Sequence, residues 1–218
     1  MMTSKLGLAC MTIAVVLLTC SFSSGPAYAE EKASFKNYAA IKTGIYNPTG
    51  DLDNFDNGLN VEGLFGRYFT DNFALEGGLG IFGTKATFSG TNAVLGTFTE
   101  EDKIAAIPVT LTAKGILPLD RLELFAGAGL GVYFAAIDAT LSTSALGNFT
   151  VDDGDMVLGV HFTGGGSYNI TDRFYFGIDG KYISTDDASF QGVALGTTYT
   201  IKTDLTGWMV NGFFGYRF

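Results

Sequence analysis

Apolar and polar residues alternate one by one through most of the chain. In the last twelve residues, Trp208, Val210, Gly212, Phe214, Tyr216 and Phe218 fall on one face, and Met209, Asn211, Phe213, Gly215 and Arg217 on the other. A strand has a side-chain period of two, so this stretch has one large apolar face and one mixed face. The same alternation recurs in seven earlier segments: Phe35 to Tyr46, about Leu59 to Phe69, a third from Phe73, Lys103 to Ile116, Arg121 to Ile137, Met156 to Ile170, and a seventh around Phe174 to Tyr182. In the fifth, Leu122, Leu124, Ala126, Ala128, Leu130, Val132 and Phe134 oppose Glu123, Phe125, Gly127, Gly129, Gly131 and Tyr133. Pro108 lies inside the fourth and cannot donate to a ladder, so the spacing predicts a bulge there.

The connections between these segments alternate in length. Long polar stretches, Asn47 to Gly58, Ser89 to Asp102, Asp138 to Asp155 and Ser184 to Thr206, follow the odd-numbered strands, and short turns such as Thr70-Asp71-Asn72 follow the even ones. A hairpin extension is expected within the second long stretch. Short turns at one end and long connections at the other are what a barrel crossing a membrane has. The pattern therefore predicts an all-β protein, an eight-stranded antiparallel up-and-down transmembrane β-barrel.

Composition sharpens this picture. A chain of 218 residues suits one domain, and 30 glycines beside 19 Phe and 10 Tyr suit a narrow barrel. No apolar run after residue 30 is long enough for a membrane helix. Before it, Lys5, the apolar run Leu6 to Leu18 and the small-x-small triplet Ala27-Tyr28-Ala29 form a secretory signal. The expected division is 1–29 as a cleaved signal peptide and 30–218 as the barrel domain, with residues 30–34 as a short polar lead. Cys10 and Cys20 both lie in the signal, so the mature chain is expected to hold no disulfide. Without Lys5 the chain carries 22 acidic and 12 basic residues, which argues against a nucleic-acid partner.

Thr70-Asp-Asn-Phe-Ala-Leu-Glu76, Leu124-Phe-Ala-Gly-Ala-Gly-Leu-Gly-Val-Tyr-Phe134, Ile170-Thr-Asp-Arg-Phe-Tyr-Phe-Gly-Ile-Asp-Gly-Lys-Tyr182 and Gly212-Phe-Phe-Gly-Tyr-Arg-Phe218 resemble segments of the eight-stranded OmpW and OmpA-like outer-membrane barrel families. Ile107-Pro-Val-Thr-Leu-Thr-Ala113 leans toward OmpW. The resemblance covers nearly all of the mature chain and implies a place in the bacterial outer membrane. Phe214, Tyr216 and Phe218 would then be the signal read by the barrel-assembly machinery. The implied partners are outer-membrane lipid and lipopolysaccharide, and the implied state is a monomer. The resemblance to OmpW also implies uptake of small hydrophobic molecules, for which Phe82, Phe125, Tyr133, Met209 and Phe213 could line the lumen.

If the apolar faces meet lipid, the other faces line the lumen. They carry Lys42, Glu62, Glu76, Lys114, Glu123, Asp179, Lys181 and Arg217, four acids and four bases. Neighbouring strands suggest Lys42 beside Glu62, and Glu76 beside Lys114 and Glu123. Two readings stay open: a plug of paired charges, since buried ions must be paired, or a narrow pore whose charges set selectivity.

Other chemistry finds little support. Gly78-Leu-Gly80-Ile-Phe-Gly83 matches a dinucleotide fingerprint by letter, but its period stays at two where a helix must follow. Asp51, Asp53, Asp56 and Gly58 lack the register of a calcium loop. The acids Glu100, Glu101, Asp102, Asp152, Asp153, Asp155, Asp186 and Asp187 are expected to be solvated, with a role in sharing divalent cations with lipopolysaccharide as the alternative. His161 is the one histidine, and no acid is placed to orient it. No cofactor, metal site or catalytic residue is expected. The leading expectation is a narrow passive channel or a structural barrel. The alternatives are a surface adhesin or receptor acting through its loops and, more remotely, a lipid A-modifying enzyme.

Overall fold

The computed structural model describes residues 36–92, 96–145, 147–194 and 197–218. The expected signal peptide with both cysteines, the polar lead after it and Phe35, where the first strand was expected to start, lie outside the described residues. Ten strands follow: β1 Asn37–Pro48, β2 Gly58–Thr70, β3 Phe73–Asn92, β4 Gly96–Leu119, β5 Leu122–Thr143, β6 Gly147–Asn169, β7 Phe174–Thr185, β8 Ala188–Ala194, β9 Thr197–Thr203 and β10 Gly207–Arg217. Eight close into a barrel in the order β1-β10-β7-β6-β5-β4-β3-β2, and β8-β9 forms a separate two-stranded ribbon. Every pairing is antiparallel, and β1 meets β10 from Tyr38↔Arg217 to Pro48↔Gly207, which closes the ring.

The stagger of the ring follows from the register. A walk along direct partners leaves β4 at Gly115 and passes Ala126, Gly164, Gly180, Val210, Ile45, Leu59 and Gly83. It re-enters β4 at Ala105, ten residues away. Eight strands with that stagger tilt by about 40° and leave an interior that side chains can fill.

The alternation sorts the side chains as the sequence implies. Leu59, Leu130, Val210 and Ile178 are 75%, 69%, 68% and 70% exposed, and with Phe65, Leu111, Leu158, Phe162 and Phe176 they make a continuous apolar outer face. A surface so apolar is far beyond what a water-soluble monomer exposes, and it suits lipid. Near the top of this belt Tyr182 and Trp208 pack at 4.6 Å, and near its bottom Phe174, Phe214, Tyr216 and Phe218 form a chain of ring contacts. Aromatics at both boundaries are expected of a barrel in lipid.

Two expectations need correction. Pro108 makes no bulge. The β4–β5 ladder runs straight through Pro108↔Tyr133, and the β3–β4 ladder only lapses between Leu79↔Val109 and Phe82↔Ala106, with the register unchanged on either side. Pro108 lacks an N–H, so it can skip a bond without displacing its neighbours. The register shift in the described ring is instead at Tyr68/Thr70.

The long connections are also mostly strand. β3 and β4 stay paired out to Asn92↔Gly96, which is the hairpin extension the second long connection was expected to hold, whereas the pairing of β5 and β6 out to Thr143↔Gly147 was not expected. By contrast, β2–β3 pairing ends at Leu59↔Gly83 and β6–β7 pairing at Gly159↔Thr185. Strands β3 to β6 therefore rise as a four-stranded wall beyond the rim of the other four. The first long connection holds a single 3-10 turn, Gly50–Leu52.

Candidate functional site in the barrel interior

The interior is built in layers. All eight charges singled out by strand parity point inward, and all but the half-buried Glu123 are buried. Toward the short-turn end, Arg217 bonds Glu123 at 2.8 Å and Asn169 Oδ1 at 2.8 Å. Above it, Lys114 bonds Glu76 at 2.8 Å, and the Tyr38 hydroxyl donates to the same carboxylate at 3.0 Å. Next come Lys42 with Asp179 at 2.5 Å and Lys181 with Glu62 at 2.9 Å. Asp179 also accepts from Thr163 at 3.2 Å and Asn211 at 2.8 Å, and Asn211 in turn accepts from Asn60 at 2.8 Å. Four positive and four negative groups cancel, and each has a partner, the condition under which charges tolerate burial.

The pairing differs from the neighbour rule. Lys42 and Glu62 are register partners, but each finds its counter-ion on β7. Glu123 is held by Arg217, while Glu76 and Lys114 do pair. In a ring this narrow, long side chains reach the axis, so groups several strands apart compete equally with the one next door.

The aromatic candidates do not form one lining. Phe82, Tyr133 and Met209 belong to an upper apolar cluster, and Phe125 and Phe213 to a lower one with Tyr38 and Tyr175. The Lys42–Asp179 and Lys181–Glu62 pairs lie between the two, while the other two pairs are interleaved with the lower rings. Phe125 lies under Lys114, whose Nζ is 4.2 Å from the ring centre, and Tyr175 lies under Arg217 at 4.6 Å. These rings therefore add cation–π attraction to the ion pairs and do not form a greasy conduit. Among these lower side chains the open space is about 20 Å3, room for about one water.

The upper cluster forms a cap. Ala188 and Phe190 of β8, with Leu205 after β9, are fully buried against Tyr46, Leu52, Phe82, Ile104, Tyr133, Ile137 and Ile183. The ribbon is tied down by polar contacts at its backbone. Asp155 accepts from the Ser189 N–H at 2.8 Å, Asp153 accepts from the Gln191 N–H at 2.6 Å, and the Tyr46 hydroxyl donates to the Leu205 carbonyl at 3.0 Å. Asp153 and Asp155 were expected to be solvated; instead they bind the edge of β8. Parity could have flagged them, because both lie on the inward face of β6, in step with the buried Val151 and Val157.

His161 is buried, with Nε2 2.8 Å from Thr112 Oγ1 and Nδ1 without a hydrogen-bond partner. Among the described residues no carboxylate bonds its ring, so no nucleophile–His–acid arrangement is assembled around it there. Four further members of the interior hydrogen-bond network, Asn60, Asn211, Tyr38 and Thr163, are not singled out by the sequence. All four sit at inward positions, so the signal was present, but uncharged groups gave no reason to single them out.

Three comparisons bear on this architecture. A family profile described as outer membrane protein beta-barrel domain matches residues 13–218. Among solved structures, the outer membrane protein OprG from Pseudomonas aeruginosa aligns with a TM-score of 0.57 and 17% identity, over 84% of this chain and 96% of that one. A major outer membrane protein from Thermus thermophilus aligns with a TM-score of 0.51 and 13% identity, over 84% and 99%. Neisserial surface protein A aligns at 0.50 and 12%, over 84% and 97%. At these identities the likeness is one of fold. No curated protein matches the chain.

Proposed function

Since the chain belongs to the outer membrane protein β-barrel family, we propose that it acts as a closed, non-conducting anchor whose activity resides in the wall and cap at its long-connection end. In this reading the signal is removed after Ala29, the barrel is a monomer in the outer membrane, and Phe214, Tyr216 and Phe218 present the aromatic edge that the assembly machinery reads. The end bearing the wall and cap faces outward, since short turns belong on the periplasmic side.

The observation that carries this reading is the filled interior. Four ion pairs lie one above another beneath an apolar cap. A permeant ion would have to displace a bound counter-ion at each level. A hydrophobic solute passing the cap would meet those charges in a medium that screens them poorly. Neither route is favourable while the pairs and the cap stay in place.

Conductance of the refolded protein in a planar bilayer tests the reading. Folding is first checked by the shift in gel mobility on heating. A silent membrane is expected; discrete, reproducible current steps would overturn the closed-anchor reading and favour the narrow channel.

A further inference from the structure

The outer face of the β3–β6 wall holds a groove of about 540 Å3 where the lipid-facing belt ends. Register stacks three rows of outward side chains there, two residues apart on each strand. The lower row is apolar and bulky, with Ile107, Phe134 and Met156 as direct partners. The middle row runs Leu59, Gly83, Ala105, Ala136 and Gly154, so beyond Leu59 the surface is recessed nearly to the backbone. The upper row runs Lys85, Lys103, Asp138 and Asp152, each paired with the next.

The two lysines stand out against their surroundings. Beyond the belt the chain is strongly acidic, and among the described residues there Lys85, Lys103 and Lys202 are the only cations. Such an end repels polyanions in general. Yet Lys85 and Lys103 are direct cross-strand partners, an arrangement that like charges disfavour unless an anion lies between them. Glu101 supplies part of that compensation, bonding Lys103 at 2.9 Å, and Asp138, the direct partner of Lys103 on β5, supplies more, which leaves Lys85 as the less compensated of the two. They stand one row above the recess and two above the last bulky apolar row, at the upper edge of the apolar belt.

We propose that this groove binds the phosphorylated, acylated glycolipid anchor of lipopolysaccharide. A phosphate lies across Lys85 and Lys103, and an acyl chain lies along the recess over Leu59, Gly83, Ala105 and Ala136. Lysine serves here as a point charge for phosphate, strengthened by the low-dielectric lipid beside it. Asp138, directly beside Lys103, and Asp152 beyond it repel the phosphate and confine it to the Lys85 side of the pair. The inference rests on the outward orientation of this end given under Proposed function.

The test compares wild type with K85A/K103A, both refolded, in lipid nanodiscs doped with bisphosphorylated lipid A, dephosphorylated lipid A or phosphatidylglycerol. Native mass spectrometry reads the lipid retained. Wild type is expected to retain bisphosphorylated lipid A at least tenfold more than the double variant, with no such difference for the other two lipids. Equal retention by both proteins would overturn the proposal, as would equal wild-type retention of phosphatidylglycerol. K85M/K103M keeps the aliphatic stems and gives the same readout if the alanine variant loses its heat-dependent mobility shift. D138N/D152N is expected to retain at least as much lipid A as wild type, and a tenfold loss there would also count against the site. Bilayer recordings of the same preparations separate the two ideas: a conducting wild type defeats the closed anchor, whereas equal lipid retention defeats only the groove.

Discussion

Lys42 and Glu62 stand directly opposite each other on adjacent strands, yet neither neutralises the other. Lys42 reaches past β10 to Asp179, and Glu62 takes Lys181 across the lumen, so β7 supplies the counter-ion for both. The carboxylate and the ammonium on β7 lie two residues apart on one face, which lets a single strand bind two neighbours at once.

Because these pairs are buried, removing one member should be far worse than removing both. Lys181→Met leaves the Glu62 carboxylate with only the Thr110 hydroxyl, at 3.4 Å. A loss of about 3–5 kcal/mol is expected. The double variant K181M/E62Q should recover most of it. Urea unfolding in phospholipid vesicles, run as a double-mutant cycle, measures both; strictly additive losses would mean that the pair is not a unit.

The cap should loosen when its carboxylate anchors are weakened. In D153N/D155N the backbone N–H groups of Ser189 and Gln191 lose charge-assisted acceptors, each worth about 1.5–3 kcal/mol. Amide exchange at Ser189 and Gln191 should accelerate by at least tenfold while the amides of β5 stay protected. The variant should still be silent in a bilayer, since the ion pairs below remain. Current steps that appear only in this variant would make the ribbon a gate.

Two glycines should resist even the smallest side chain. Tyr38 lies over its cross-strand partner Gly66, and Tyr175 over Gly215; an added Cβ would sit 2.1 Å from the ring Cζ in both cases. Gly66→Ala and Gly215→Ala are each expected to cost about 1–3 kcal/mol by overpacking. Gly212→Ala meets nothing within 4 Å and is the matched control. Equal unfolding midpoints for all three would show that the tyrosines give way freely.

On the wall above the membrane belt, Asp102 introduces a pH dependence. Burial, and then the Glu100 charge, push its carboxyl above the usual range, and one of its oxygens has no hydrogen-bond partner. A raised acid pKa means that the folded wall takes up the proton first, so its stability rises as pH falls through that range. Asp102→Asn should therefore stabilise the paired ends of β4 and β5 at pH 7, and the advantage should shrink as pH falls through that range. Glu101 opposes this weakly, since Lys103 holds its carboxyl below the usual range. Amide exchange along β4 at several pH values follows the difference; an advantage that grows on acidification would contradict it.

What could be read from the sequence was whatever one wet face and one dry face make visible. In β5, apolar and small residues alternate for a full crossing, and both the strand and its inward Glu123 follow from parity. The same parity placed Lys42, Glu76 and Arg217 inside. It fell silent where both faces of a strand are polar, as from Ser89 to Asp102, because a strand without a dry side has no period to detect. The cap was hidden for a different reason. Ala188 and Phe190 are two apolar positions in a short segment, and only the mouth of a closed ring gives them something to cover. The counter-ions were unreadable because adjacency along a sheet says little once the sheet has closed.

The unequal strand lengths also make the approach to this protein directional. On the side of β1, β2, β7 and β10 the barrel strands stop at the rim, with the β8–β9 ribbon tied to β6; on the side of β3 to β6 the wall continues nine residues past Gly83, to Asn92. That is about 30 Å of further strand, at the usual rise per residue. An antibody, a phage tail fibre or a neighbouring membrane protein can come down to the bilayer along the low side but meets a parapet on the other. Epitopes on the two flanks should therefore differ in accessibility on intact cells, even though one continuous sheet joins them.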